Sequence, residues 1–268
     1  MTRRRKSGRA VRAKRARARR APLDATAQAL QPRWWQVQLR DRLEPLLEAA
    51  SRKVEAARER TPGVVGTLVL GASRILLIVT LPFVVLVRGA VWLYERQGFP
   101  TWLALAGAAV ATLALLTLYG VWVSRRLTGR ARLGLVAKWV AAPLVAGYCG
   151  YSLLYLSGVN VKDDEVRSVY TATHPLLRVA VSTLILADRN AVITDLTRTP
   201  DDYHRMGLTV NQRSLHYPQA DGWVHAVDIR VRGPLSALFV ELYFRGMGFE
   251  TLRHVGTADH LHVALTPR

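Results

Sequence analysis

The chain has 268 residues, half of them hydrophobic, and a formal net charge of +19 from 38 Lys and Arg against 19 Asp and Glu. All of that charge lies in residues 1–158, where 26 basic residues face 7 acidic ones; residues 159–268 carry 12 of each, together with all seven histidines. Long apolar runs exclude a simple cytosolic globule. The single cysteine, Cys149, excludes an intramolecular disulfide and any cysteine-based zinc site.

Residues 1–32 read as a disordered basic tail, because residues 1–20 hold eleven Lys or Arg and no acid, and self-repulsion at that density opposes packing. Such a tail can hold anionic lipid at about 1 kcal/mol per basic residue, bind nucleic acid by counterion release, or serve as a solvated topology signal. A secretory signal peptide does not fit, since no apolar stretch follows at a suitable distance. Residues 33–62 are predicted to form an amphipathic cytoplasmic helix: Leu39, Leu43, Leu46, Leu47, Ala50, Val54 and Ala57 recur at steps of three and four, with Trp34 and Trp35 suited to an interface.

Residues 63–160 form the expected transmembrane region, with spans near 75–94, 101–123 and 139–159. A bilayer core of about 30 Å needs about 20 apolar residues as helix. Thr101–Val123 and Trp139–Val159 carry no charge, whereas the first run contains Pro82 and Arg88, the arginine close enough to an end to snorkel. The loop Ser124–Lys138 holds Arg125, Arg126, Arg130, Arg132 and Lys138 without an acid, so it and the basic amino terminus are expected in the cytoplasm. Three spans then place the carboxy-terminal region outside.

Residues 161–268 are expected to fold as a small α+β domain with an antiparallel sheet. Thr173–Ala187 reads as a helix, Ala191–Leu196 as a strand and Pro200–Met206 as a helical turn. After a polar loop come a strand at Ala226–Val231, an amphipathic helix at Leu235–Arg245 and strands at Glu250–Val255 and His260–Leu265. On that frame His216, Asp228 and His262 supply the His and carboxylate ligands of a catalytic zinc site with an open fourth position. Asp259, three residues before His262, is placed to take a proton from attacking water and pass it to a leaving amine.

Three segments carry a resemblance: Ser214-Leu215-His216, Ala226-Val227-Asp228-Ile229 and Asp259-His260-Leu261-His262-Val263. They resemble the signature of the zinc superfamily that unites D-alanyl-D-alanine carboxypeptidases, L-alanyl-D-glutamate endopeptidases and the amino-terminal domain of Hedgehog proteins. Thr194–Pro200 resembles the stretch before the first ligand, where an arginine orients substrate. The resemblance spans about residues 190–265. It implies Zn2+ bound by His216, Asp228 and His262, Asp259 as catalytic base, and Arg198 binding a substrate carboxylate or oxyanion.

The family's first His and its Asp are closer in sequence than His216 and Asp228, and His225 lies nearer to Asp228. His225 and Asp228 are separated by three, however, and an odd separation along a strand points side chains to opposite faces, which favours His216. His260 is expected to support the site rather than ligate. His204 and His254 read as surface residues, Trp223 as a core or rim residue with a cleft-lining role as the alternative, Asp201 and Asp202 as helix amino-terminal charges, and Asp195 or Asp202 as structural partners for Arg198.

The implied function is a membrane-anchored zinc metallopeptidase of a bacterial cytoplasmic membrane. Its amino terminus would be cytoplasmic and its carboxy-terminal domain periplasmic or extracellular, acting on peptidoglycan stem peptides that contain D-amino acids. Two alternatives are a catalytically inactive, zinc-stabilised wall-binding domain and a membrane scaffold whose basic tail binds lipid or nucleic acid.

Overall fold

The computed structural model describes residues 44–45, 48–53, 55, 64–205, 207, 209–255 and 259–268. The basic tail expected at 1–32 lies outside them. Within the helix expected at 33–62 the described residues are helical, and Arg52 reaches back one turn to Glu48 at 3.1 Å.

Three long apolar helices follow: α1 (Val64–Glu95), α2 (Thr101–Thr128) and α3, which runs from Leu133 to Leu154 with a π-helical turn at Ala137–Ala141. Each is long and apolar enough to cross a membrane. Large apolar side chains such as Ile75, Leu76, Val110, Leu118 and Leu144 stand exposed along them, as lipid-facing positions do. The third helix ends at Leu154, where Tyr155 turns extended, so the tail of the run expected to span, Leu156–Val159, leaves the helix and enters a short 3-10 turn at Gly158–Asn160. Pro82 lies inside α1 without ending it.

The chain divides by its contacts into Met1–Ser73 and Arg74–Arg268, and the second unit holds the rest of the structure. Its further elements are α4 (Asp164–Ser168), α5 (Pro175–Ala187), β1 (Val192–Asp195), α6 (Pro200–Arg205), β2 (Ala226–Arg230), α7 (Pro234–Met247), β3 (Glu250–His254) and β4 (His260–Ala264). The four strands make one antiparallel sheet in the order β1-β2-β4-β3.

Alternation along β2 and β4 separates two faces. Val227, Ile229, Leu261 and Val263 point to the core, and Asp228, His260 and His262 point to the other side. The core face packs on α7 and shares one buried cluster with α5. Helix α5 is largely apolar, and every residue from Pro175 to Leu184 is buried, Arg178, Ser182 and Thr183 included. A helix of that kind needs partners on all sides, and α5 finds them in α2, α3 and α7.

One core therefore runs through both parts of this unit: Leu86, Val87 and Ala90 of α1 and Ala104 and Ala108 of α2 belong to the same buried cluster as Leu177, Leu184, Val227 and Phe244. Polar contacts stitch the seam. Tyr148 and Thr183 hydroxyls meet at 2.6 Å, the Tyr170 hydroxyl donates to Ser152 O at 2.7 Å, and Arg178 donates to Leu153 O. The carboxy-terminal Arg268 donates to Phe99 O at 3.2 Å and lies over the Tyr94 ring.

Arg88 has a partner that its apolar surroundings do not advertise. Gly248 caps α7 with φ of 102°, and its missing Cβ leaves the space that the Arg88 guanidinium fills. The arginine of the first span is thus seated against the domain rather than snorkelling alone.

Candidate metal centre

Asp228 and His262 are directly opposed in the β2–β4 register, so both project from the same face of the sheet. A β-bulge in β1 lies between Ile193, which opposes Ile229 on the core face, and Asp195, which opposes Asp228 on the other. The extra residue, Thr194, donates its hydroxyl to Asp228 O at 3.2 Å. His216 arrives from the long loop between α6 and β2, fixed by its carbonyl, which accepts from Arg198 N at 2.9 Å.

Three ligand-type atoms converge there. His216 Nε2 lies 3.2 Å from Asp228 Oδ1 and 3.2 Å from His262 Nδ1, and His262 Nδ1 lies 2.8 Å from Asp228 Oδ1. His216 Nδ1 donates to Leu196 O at 2.8 Å, which places its ring hydrogen there and leaves the Nε2 lone pair facing the other two atoms. Lone pairs set this close require a proton or a cation among them. The separations approach the roughly 3.3 Å edge of a tetrahedron of ligands about 2.0 Å from zinc, and the backbone carbonyl behind His216 is the partner that orients a ligating imidazole. The donor set therefore fits a divalent metal.

Burial is asymmetric, which matters for access. The side chains of His216 and Asp228 are 2% and 4% exposed, while that of His262 is 24% exposed, so the cluster opens on the His262 side. Burial pushes the Asp228 carboxyl up, but its hydrogen bonds to His216 and His262 outweigh this and hold it well below the usual carboxylate range. Arg198 completes the arrangement, donating from Nε to Asp195 Oδ2 at 2.7 Å and from Nη2 to Asp228 Oδ2 at 3.2 Å. Asp228 thus presents one oxygen to the histidines and the other to a guanidinium. Beside the site, a cavity of about 680 Å³ is lined by Lys162, Glu165, Thr194, Asp195, Arg198 and Arg205.

Of the residues expected at the site, His216, Asp228, His262 and Arg198 are brought together and Asp259 is not. Both Asp259 oxygens receive Arg253, at 3.1 and 2.7 Å, and among the described residues this is its hydrogen-bond partner. That pairing holds its carboxyl below the usual range, which weakens it as a base. Arg253 opposes Leu261 in the β3–β4 register and so belongs to the core face, away from His262.

His260 Nε2 lies 3.7 Å from Asp228 Oδ2, a supporting position. His254 is exposed, as expected, and stacks on His260 with ring centroids 4.9 Å apart and meets the edge of His262, so it extends the imidazole rim. Trp223 takes the core or rim role rather than the cleft: it is half-buried, meets Trp102 edge-on at 6.5 Å and lies under Arg178 at 5.3 Å, closing the seam with α2. Asp202 accepts from Thr199 N and Oγ1 at the start of α6, the helix-terminal role expected of it.

A second cluster went unread in the sequence: His174, Asp221 and His225 also place ligand-type atoms within 4.8 Å of one another. His225 is completely buried and turned away from Asp228, as the odd spacing requires. Burial and the neighbouring His225 push His174 down to about 3, so that its imidazole is neutral.

No protein-family model, curated protein or solved structure matches this chain. Its own geometry defines a membrane-type helical region carrying an α+β domain with two His/Asp/His groups.

Proposed function

We propose that the chain is a membrane-embedded zinc metallopeptidase whose carboxy-terminal domain faces the cell wall and hydrolyses D-amino-acid-containing peptide bonds of peptidoglycan stem peptides. The observation that carries this reading is the convergence of His216, Asp228 and His262, with Arg198 hydrogen-bonded to Asp228. A zinc ion held by the three would polarise the scissile carbonyl and make water nucleophilic at neutral pH. The protein's own groups supply the rest. Leu196 O orients His216, Arg198 fixes Asp228 through its outer oxygen and offers a guanidinium to a substrate carboxylate, and the side open at His262 admits substrate. Asp259 would serve as proton carrier once a substrate carboxylate competes it off Arg253 and its side chain turns from the Arg253 side of β4 toward His262.

The orientation rests on charge: the acid-free basic loop between α2 and α3 and the basic amino terminus belong on the cytoplasmic side, which leaves the domain outside with the wall. A second reading keeps the metal and drops the catalysis, as a zinc-stabilised wall-binding domain. The two-point pairing of Asp259 with Arg253 is the observation that favours it.

Purified full-length chain in detergent, incubated with peptidoglycan sacculi, tests the two readings through the muropeptides released. Cleavage that is abolished by His262→Ala and by Asp259→Ala, with zinc retained in the latter, supports the peptidase. Sedimentation with sacculi without cleavage supports the binding domain, and a chain that neither holds zinc nor binds sacculi refutes both.

A further inference from the structure

We propose that His174, Asp221 and His225 form a second metal site, structural rather than catalytic, that ties together the cap of α5 and the segment leading into β2, set against the start of α2. His225 repeats the orientation seen at His216. Its Nδ1 donates to Leu265 O at 3.1 Å, and its Nε2 points at Asp221 Oδ2, 2.9 Å away. Both nitrogens of that ring face acceptors, so a cation, proton or metal, sits between Nε2 and the carboxylate.

The neighbouring ring of His174 stands 4.7 Å from that of His225, and its Nε2 lies 4.0 Å from the same Asp221 oxygen. These separations bracket the roughly 3.3 Å between ligands of a tetrahedral zinc. Two imidazoles and one carboxylate, with both imidazoles wholly buried and the carboxylate 38% exposed, suit a borderline divalent transition metal that enters past Asp221.

What distinguishes this site from the first is its position. Thr101 Oγ1, at the start of α2, approaches His174 Nε2 to 3.0 Å, and the Tyr94 ring packs 5.1 Å from His174. The donors therefore come from the cap of α5, the loop before β2 and the residue immediately preceding β2, with the start of α2 closing over them. A site closed in this way holds parts together, whereas one that is open beside a cavity admits substrate. Metal uptake replaces the proton held between His225 and Asp221. It also moves the His174 ring hydrogen from Nε2 to Nδ1, exchanging the 3.0 Å hydrogen bond to Thr101 Oγ1 and the long 3.3 Å contact from Leu176 N for a metal bond.

This inference does not depend on the peptidase reading. The full chain in detergent is loaded with Zn2+, desalted and analysed for zinc per chain. Two equivalents are expected for the wild type. One is expected for Asp221→Asn and for His225→Ala, one for His216→Ala, and none for His216→Ala combined with Asp221→Asn. If the first site fails while this one stands, the wild type holds one equivalent that survives His216→Ala and is lost in Asp221→Asn. Wild-type zinc content in Asp221→Asn overturns the proposal, and this partly exposed, isosteric change decides the matter if His225→Ala does not fold.

Discussion

Replacing Asp228 by Asn tests whether the His216 cluster is an electrostatic unit built to hold a cation. The carboxylate is 4% exposed and shared between two imidazoles on one oxygen and Arg198 on the other. The amide keeps the shape, but it removes the charge and can no longer offer an acceptor both to Arg198 and to His262; an N–H2 group turned toward Arg198 sets donor against donor. Breaking a buried ion pair by neutralising one partner costs about 3–5 kcal/mol. At roughly 2–4 °C per kcal/mol for a chain of this size, the metal-free protein should lose roughly 6–20 °C in Tm. Zinc at about 1,000 times its Kd adds roughly 4 kcal/mol to any state that binds it. The parent should therefore gain roughly 8–16 °C on zinc addition, and Asp228→Asn almost nothing. Intrinsic tryptophan fluorescence during heating in detergent measures both quantities, with Asp221→Asn as the common background so that only the His216 site responds. An undiminished zinc shift in Asp228→Asn, or a metal-free loss below about 1 kcal/mol, would refute the reasoning.

Arg253→Met should let the Asp259 carboxyl rise toward its ordinary pKa. Because the ionised form is the base, activity is present above that pKa and lost below it, so the acid limb of the pH–rate profile should move to higher pH; an unmoved limb removes Asp259 from the reaction. Phe244→Ala empties a wholly buried position flanked by Tyr243 and Phe249 and should cost about 3–5 kcal/mol, read as a fall in thermal midpoint. Gly248→Ala should destabilise by about 1–3 kcal/mol, since a positive φ and the adjacent Arg88 and Val91 both oppose a Cβ, and pairing it with Arg88→Ala should recover part of that loss. Residues 161–268 expressed alone should bind the dye ANS and lack dispersed amide signals, because α5 would be stripped of α2 and α3.

Much of the domain's order is visible in period and punctuation: the helix at α7 and the strands β2, β3 and β4 fall within a residue or two of where alternation and glycine place them. The choice of His216 over His225 beside Asp228 is reachable through a parity argument, since His225 sits an odd number of positions from Asp228 and indeed faces another cluster. Applied to Asp259, three before His262, the same parity points it to the side of Arg253. What the sequence hides is anything assembled from distant segments. The bulge that turns Asp195 toward Asp228 leaves no mark in the residue pattern, and His174 and Asp221 lie 47 positions apart with no spacing rule to join them. Thr173–Ala187 reads as a helix, but its burial on all sides depends on surfaces supplied by α2 and α3.

That shared core also orders events in time. A helix whose every side through Leu184 is covered partly by α2 and α3 has no stable resting place until those helices have formed. The sheet, which leans on α5, waits with it. Assembly of the sheet face that carries Asp228 and His262 is thereby coupled to formation of the preceding helices, so that a chain stalled before those helices form keeps its histidines apart.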